Sequence, residues 1–136
     1  MSGYFTESNY ENAVLQLLNE DLGYTYVYGP DVERDYHSPL YEDVLLPSLQ
    51  RINKNLPMDA LTEAIYKLKN FETGTLLQKN MVFMDYLQNG VPVKYYDKGE
   101  ERSTLVYLVD FKNPASNEFT VANQWTFIEN SEKRQM

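Results

Sequence analysis

The sequence has no cysteine and only one histidine, and both shortages restrict its chemistry. Without cysteine there are no disulfides, no thiolate metal ligands and no cysteine nucleophile, a composition that fits a reducing compartment. A histidine metal site or a Ser/His/Asp triad would depend on His37 alone, which lies in a charged loop. An ordinary solvated histidine is the favoured interpretation.

Glycines and long apolar runs are also scarce. The six glycines form neither a G-x-G-x-x-G nor a G-x-x-x-x-G-K-[ST] motif, so we expect no ATP or other cofactor bound by this chain itself. No segment approaches about 18 consecutive apolar residues, and the N-terminus has no ordinary export signal. We therefore expect no membrane span and a cytoplasmic location.

Positive charge is limited, with 12 Lys and Arg against 20 Asp and Glu and a formal net charge of −8. This charge repels phosphate at long range, so we expect weak or no DNA binding by the chain alone. A basic groove could still exist locally, although no cluster of Lys or Arg in the sequence indicates one. At 136 residues and 43% apolar, residues 1–136 are predicted to form a single domain.

Apolar residues at helical spacing predict several helices in the first two-thirds of the chain. The first begins at Ser8, whose spacing to Glu11 is that of a capping box, and stops at Gly23. Its apolar face comprises Tyr10, Ala13, Val14, Leu17 and Leu18. The other predicted helices lie at residues 40–55, 56–70 and 75–89. Pro47 should kink or delay the helix at 40–55, so the more regular part of that helix is placed after Pro47.

Alternating apolar and polar residues predict strands at TYVY, residues 25–28, and in the last third of the chain. Short turns separate the later strands, which favours an antiparallel meander covered by the amphipathic helices. The later strands are predicted at residues 91–96, 102–111 and 117–129. The predicted fold class is therefore α+β.

Glu11 is the first acidic candidate for a functional site. It lies in the first turn of the first helix, beside the apolar face, where helix capping is the simpler role. Glu129, next to Asn130 at the end of the last strand, looks like turn chemistry. No second carboxylate and lysine follow at the spacing of a divalent-metal nuclease site.

Two other clusters have alternative interpretations. The charge run of Glu33, Arg34 and Asp35 is typical of a solvated loop, with a docking role as the alternative. Tyrosines alternate on one face of the first strand, which suits either an edge strand with half-buried aromatics or a base-stacking platform. These tyrosines are Tyr24, Tyr26 and Tyr28.

The order of several motifs over residues 5–134 resembles the N-terminal part of type I restriction enzyme R subunits. The motifs are N-G-[VI]-x-V-x-Y at 89–95, [VL]-D-[FY]-x-N-P at 109–114 and N-x-F-x-V-x-N-Q-[FW]-T at 117–126. The resemblance implies the start of a PD-(D/E)xK endonuclease domain ahead of an ATP-dependent DNA-translocating motor. It further implies Mg²⁺ and ATP as cofactors of the intact subunit, and DNA with methyltransferase and specificity subunits as partners. Glu11 matches the acidic residue that a helix near the N-terminus contributes to the nuclease site.

The chain departs from this family after Arg134. Gln135 and Met136 stand where the family has Pro and the metal-binding Asp, so neither that Asp nor the (D/E)xK pair lies within residues 1–136. We therefore expect no complete metal site and no nuclease activity from this chain alone. The alternative function is a non-catalytic module that docks in a restriction complex or self-associates. Self-association would use an unpaired strand edge near Trp125 and Phe127, or an exposed apolar face.

Overall fold

The computed structural model describes residues 6–71, 74–129 and 132–135, which fall into two compact units. The split unit comprises Met1–Pro39 and Phe119–Met136, and the central unit is Leu40–Glu118. The helices are α1 (Glu7–Gln16), α2 (Glu42–Ile52), α3 (Met58–Lys69) and α4 (Leu76–Asn89). The strands are β1 (Thr25–Tyr28), β2 (Val91–Asp97), β3 (Glu100–Val106), β4 (Thr120–Asn123), β5 (Thr126–Glu129) and β6 (Glu132–Gln135).

The predicted α+β class is confirmed, with helices alongside small parallel and antiparallel sheets. Within the described residues, none of the helices has the length and apolar character needed to cross a membrane.

The described hydrophobic core lies in the central unit and is built mainly by α3 against β2 and β3. The buried face of α3 includes Leu61, Ala64 and Leu68, which repeat at the spacing of an amphipathic helix. Hydrophobic burial of this kind is the main favourable term in folding, so the central unit has the stronger basis for stability. The buried core side chains are Leu49, Ala60, Leu61, Ala64, Leu68, Val91, Val93 and Val106.

Pro47 lies inside α2, contrary to the prediction that the regular helix begins after it. The helix starts at Glu42 and continues through Pro47 to Ile52. Pro47 has no N–H to donate to the preceding turn, but it is exposed, where water can solvate the carbonyl left without a partner. The prediction gave the missing hydrogen bond too much weight against the apolar face that α2 packs on the core.

β2 and β3 form the predicted antiparallel hairpin, with register Val91↔Val106 to Asp97↔Glu100. Its two-residue turn has positive φ at both Lys98 (52°) and Gly99 (80°), the conformation that suits the twist of paired strands. β3 ends at Val106, earlier than the predicted residue 111.

The amide of Asn53, at the C-terminal end of α2, holds the chain that leaves β3. Asn53 Oδ1 accepts the Tyr107 N–H at 2.8 Å, and its Nδ2 donates to the Tyr107 carbonyl at 2.9 Å. The same Nδ2 also donates to the Leu49 carbonyl at 2.9 Å. The Asn53 side chain thus satisfies both backbone groups of Tyr107, which has no strand partner among the described residues.

The third predicted strand is wrong as a continuous element. It is divided into β4 and β5 at Gln124, whose φ is +50°. β4 does not extend the meander; it pairs in parallel with β1, from Thr25↔Thr120 to Tyr28↔Asn123. The alternation over 117–129 indicated strand correctly, but a left-handed glutamine gives no signal comparable to Gly or Pro.

α1 differs from its prediction in its start and in its burial. Its N-cap is Thr6, whose Oγ1 accepts the Asn9 N–H at 3.2 Å, so Ser8 lies within the helix. A π-helical turn follows at Leu17–Asp21, before Gly23 with φ of 75°. No α1 residue is buried, and its predicted apolar face is largely exposed, with Tyr10, Val14 and Leu17 all at least half accessible.

The predicted unpaired edge of the last strand is also corrected. β5 pairs with β6 in antiparallel register, from Thr126↔Gln135 to Glu129↔Glu132. The Ile128 N–H donates to the Tyr36 carbonyl at 2.7 Å, and the Arg34 guanidinium donates to the Thr126 carbonyl. Residues beyond β5 thus return to pair with it, while the 34–36 segment meets other backbone groups of the strand.

Candidate functional site

Glu11 lies beside the break between β4 and β5. The Gln124 side-chain amide donates from Nε2 to Glu11 Oε1 at 3.0 Å, across 113 residues of sequence. Glu11 is partly buried, and the structure corrects its proposed capping role because Thr6 caps the helix. The carboxylate is thereby held at a defined point, and only Oε1 is engaged by the described residues.

The backbone at the break is fixed by its close approach to Gly29, which is buried directly after β1. A Cβ at Gly29 would lie 2.5 Å from the carbonyl oxygens of both Asn123 and Gln124. Only glycine lets the backbones of the two segments come this close. Tyr26 adds a side-chain link, since its hydroxyl donates to Asn123 Oδ1 at 2.9 Å.

Arg34 holds the chain on the other side of the break. Its guanidinium carbon lies 4.0 Å from the centre of the Trp125 ring and 5.3 Å from that of Tyr36. It donates to the Ser38 carbonyl at 2.5 Å and to the Thr126 carbonyl. The sequence favoured a solvated loop for the charge run that includes Arg34. The structure instead places the Arg34 side chain in these contacts, partly buried. Its planar, multi-donor group joins the loop to the start of β5.

The environment of Arg34 affects its ionisation. Burial lowers the pKa of its guanidinium below the ordinary value, while Tyr36 and Asp35 act in the opposite direction. An arginine remains protonated at physiological pH in spite of such a shift, so the Arg34 guanidinium over the Trp125 ring keeps its positive charge. Trp125 is itself anchored, because its indole Nε1 donates to the Pro39 carbonyl at 2.8 Å.

The family resemblance implies a Mg²⁺ centre, and the described residues do not form one by themselves. The polar neighbour of Glu11 is the amide of Gln124, whereas Mg²⁺ is bound in proteins by carboxylates together with phosphates and retained waters. In the parts of the chain that the structure describes, no three His, Cys, Asp or Glu side chains are placed to hold a metal ion. No metal-dependent step follows from these residues.

Among the described residues, the remaining sequence candidates make no direct hydrogen bond with the Glu11–Gln124 pair. The His37 side chain is 71% exposed with Nδ1 3.2 Å from Asp35 Oδ1, as expected of a solvated histidine. Tyr26 and Tyr28 are 41% and 44% exposed, which agrees with half-buried aromatics on a short strand. Glu129 ends β5, and the predictions for Asn130 and Met136 lie outside the described residues.

The sequence indicated Glu11 as a candidate but did not predict its contact with Gln124. The predicted strand at 117–129 contains Gln124 without a break, and the charge run at 33–35 favours a solvated Arg34. The one available signal was the Asn-Gln-Trp segment at 123–125, where two amides precede the single tryptophan of the chain. The contacts of Glu11 with Gln124 and of Arg34 with Trp125 each join distant parts of the sequence, so no local pattern could specify them.

Comparison with known proteins gives the chain a family context. The model of the type I restriction enzyme R protein N terminus matches residues 4–135. The chain is 31% identical over 121 residues to a candidate type I restriction enzyme MjaIXP endonuclease subunit of Methanocaldococcus jannaschii, covering 85% of this chain. It is 29% identical over 126 residues to the type I restriction enzyme HindI endonuclease subunit of Haemophilus influenzae, covering 87% of this chain. It spans 12% of the length of each relative. No solved structure matches it significantly.

Proposed function

The chain belongs to the family of type I restriction enzyme R protein N termini, and we propose that it forms the N-terminal region of the endonuclease subunit of a type I restriction-modification system. In this proposal the intact subunit cleaves DNA in the cytoplasm and requires Mg²⁺ and ATP. Its partners are DNA and the methyltransferase and specificity subunits. The continuous family match over residues 4–135 is the observation that carries the proposal.

The Glu11–Gln124 pair is the part of this region that we connect with the nuclease centre. A carboxylate oxygen that accepts a hydrogen bond from a side-chain amide has a fixed orientation. Glu11 Oε2 makes no hydrogen bond with a described residue, so it remains for contacts in the intact subunit. We assign Glu11 as an acidic residue of the centre and Gln124 as its positioning residue.

The role of Glu11 can be tested in a chimera in which residues 4–135 replace the matching segment of the HindI endonuclease subunit. We expect the chimera to cleave DNA and Glu11→Gln to abolish cleavage while ATP hydrolysis persists. Glu7→Gln, a matched change in the first turn of the same helix, should retain cleavage. Cleavage by Glu11→Gln at the rate of the parent chimera would show that Glu11 has no part in the reaction.

Residues 1–136 alone are proposed to be inactive as a nuclease. One carboxylate with an amide neighbour does not replace enough of the hydration shell of Mg²⁺ to hold the ion in a productive geometry. Incubation of supercoiled plasmid with the chain and Mg²⁺ should therefore give the same nicking rate as the Glu11→Ala variant. Nicking by the parent chain above the rate of that variant would refute this proposal.

A non-catalytic interaction module is the second candidate, and the exposed apolar side chains of α4 favour it. Leu76, Leu77 and Met81 are 76%, 70% and 64% exposed, more than is usual for such side chains on one helix. A pull-down of the chain with the methyltransferase and specificity subunits of the same system should retain it, and Leu77→Glu with Met81→Glu should release it. Equal retention of this double variant would rule out docking through α4.

A further inference from the structure

The central unit contains an open cleft between α3 and α4 with a volume of about 340 Å³. Its lining is mixed: lysine, amide and aromatic side chains face the same space. These include Tyr66, Lys67, Asn70, Phe71, Lys79 and Tyr86. A cleft of this size has room for about one nucleotide, because sites for drug-sized ligands begin near 300 Å³.

Two lysines supply positive charge to this cleft. Lys67 Nζ donates to the Pro92 carbonyl at 2.5 Å, so its ammonium is held in place without being neutralised. Neither Lys67 nor Lys79 lies within ion-pair distance of a carboxylate among the described residues, whereas Lys69 nearby is paired with Glu42 at 3.0 Å. Among the described lining residues, Glu63 opposes the charge of these two lysines without cancelling it.

A second cleft, of about 250 Å³, adjoins the first because Glu63 and Lys67 line both. It adds Lys94 and the hydroxyl residues Ser103 and Thr104. Lys94 is 3.4 Å from Glu101 in an exposed ion pair, which in water holds the ammonium only weakly. The two clefts together are lined by three lysines and by the Ser103 and Thr104 hydroxyls.

Aromatic rings lie beside these lysines. Tyr66 is 56% exposed at the first cleft, so its ring is available to a ligand. Phe71 and Tyr86, which also line this cleft, stack with ring centres 6.1 Å apart and an interplanar angle of 25°. Lysines that follow a phosphate backbone beside an exposed aromatic ring are the arrangement by which proteins bind single-stranded nucleic acid.

We propose that these adjoining clefts, called here the α3–α4 groove, bind a segment of single-stranded DNA, with phosphates at Lys67 and Lys79 and a base on Tyr66. This inference goes beyond the proposed function, which assigns no nucleic-acid contact to α3 or α4. Binding is weak and sensitive to salt, because a net charge of −8 repels the strand at long range while the groove attracts it at contact. An unpaired base is required for stacking on Tyr66, so a single strand binds better than a duplex.

The test measures fluorescence anisotropy of a labelled oligothymidine with the full chain at low salt. Lys67→Gln with Lys79→Gln should weaken binding about tenfold or more and reduce the slope of log K against log salt by about 1.4, the value for two phosphate contacts. Lys98→Gln with Lys112→Gln makes the same change in net charge at exposed positions outside the groove and should leave affinity within about twofold. Equal losses in the two double variants would overturn the proposal.

Stacking is tested separately at Tyr66. Tyr66→Phe should retain binding and Tyr66→Leu should weaken it by about fivefold or more, within the range of one base–aromatic contact. Lys79→Gln alone, on the exposed helix α4, guards against misfolding of the double variant, and circular dichroism checks each fold. Tighter binding of duplex DNA than of the single strand would overturn the proposal. Full competition by inorganic tripolyphosphate would also overturn it, by showing a simple phosphate site. These binding assays need no other subunit, whereas the pull-down tests docking on other subunits. A failure of the DNA-binding proposal is therefore distinguishable from a failure of the proposed docking.

Discussion

Gly29 and Arg34 are the two residues on which the geometry at Gln124 most directly depends. Gly29 permits the approach of the 123–124 backbone, and Arg34 holds Trp125 and the Thr126 carbonyl immediately after it. Between them Gln124 keeps a positive φ, a conformation that costs a non-glycine residue about 1 kcal/mol or more. The pair therefore maintains the position from which Gln124 contacts Glu11.

Gly29→Ala should destabilise the split unit by about 1–3 kcal/mol, because the new methyl group would meet two backbone carbonyls that have little freedom to move. Gly23→Ala is the matched control: φ is +75° there but no atom lies within 4 Å, so only the conformational cost of about 1 kcal/mol applies. Urea unfolding followed by the fluorescence of Trp125, the single tryptophan, measures both. A smaller loss for Gly29→Ala than for Gly23→Ala would contradict the close approach.

Arg34→Lys should also destabilise the split unit, by about 1–2 kcal/mol, although charge is conserved. Lysine has no planar guanidinium that can stack on the Trp125 ring and at the same time donate to the Ser38 and Thr126 carbonyls. We expect red-shifted Trp125 emission as water reaches the ring. Arg102→Lys, in the exposed β2–β3 hairpin, should leave the emission unchanged. Unchanged emission in Arg34→Lys would mean that the stack does not shield the indole.

At the scale of elements, sequence patterns succeeded where one segment decided the outcome. Local periodicity, together with glycines at 90 and 99, predicts α3, α4, β1 and the β2–β3 hairpin, and each of these elements begins within a few residues of its predicted start. The candidate site was harder to predict from the sequence, because the contact of Glu11 with Gln124 depends on a break in a strand. The parallel pairing of β1 with β4 is likewise a long-range choice that alternation cannot distinguish from a meander.

α4 depends on its own caps more than α2 and α3 do, since none of its residues is buried whereas those two helices contribute side chains to the core. The Gln78 N–H donates to Thr75 Oγ1 at 3.2 Å, and the Thr75 N–H donates to Gln78 Oε1 at 2.8 Å, which completes a capping box.

Thr75→Ala should weaken the first turn of α4 by about 1 kcal/mol, because an N–H of that turn loses its acceptor. Amide hydrogen exchange in the first turn of α4 should accelerate about fivefold, because a loss of about 1 kcal/mol raises the equilibrium constant for local opening by about that factor. Thr62→Ala, at an exposed interior position of α3, should not accelerate exchange, since alanine is the better helix former there. Unchanged exchange in Thr75→Ala would show that the box does not control fraying.

At the scale of the whole molecule, the excess of acidic residues opposes folding through mutual repulsion. The ion pairs are exposed, with carboxylate side chains between 38% and 74% accessible, so they compensate little of this repulsion.

Added sodium chloride should therefore stabilise the chain, by less than about 1 kcal/mol between about 10 and 200 mM, because screening weakens repulsion among the surplus carboxylates. Urea unfolding at each salt concentration, followed by circular dichroism, measures the effect. The same salt increase should weaken oligothymidine binding in the α3–α4 groove, so the two responses have opposite signs. Stability that falls with salt would indicate that the exposed ion pairs outweigh the repulsion.

The parallel pair of β1 and β4 has a consequence for the order in which the chain folds during synthesis. The Tyr26 hydroxyl and its acceptor Asn123 are 97 residues apart, so the split unit cannot close until both segments have left the ribosome. The central unit is contiguous and completes its core from residues 49 to 106, which are synthesised earlier. Because closing a long loop carries an entropic cost that slows folding, the Glu11–Gln124 contact should be among the last to form.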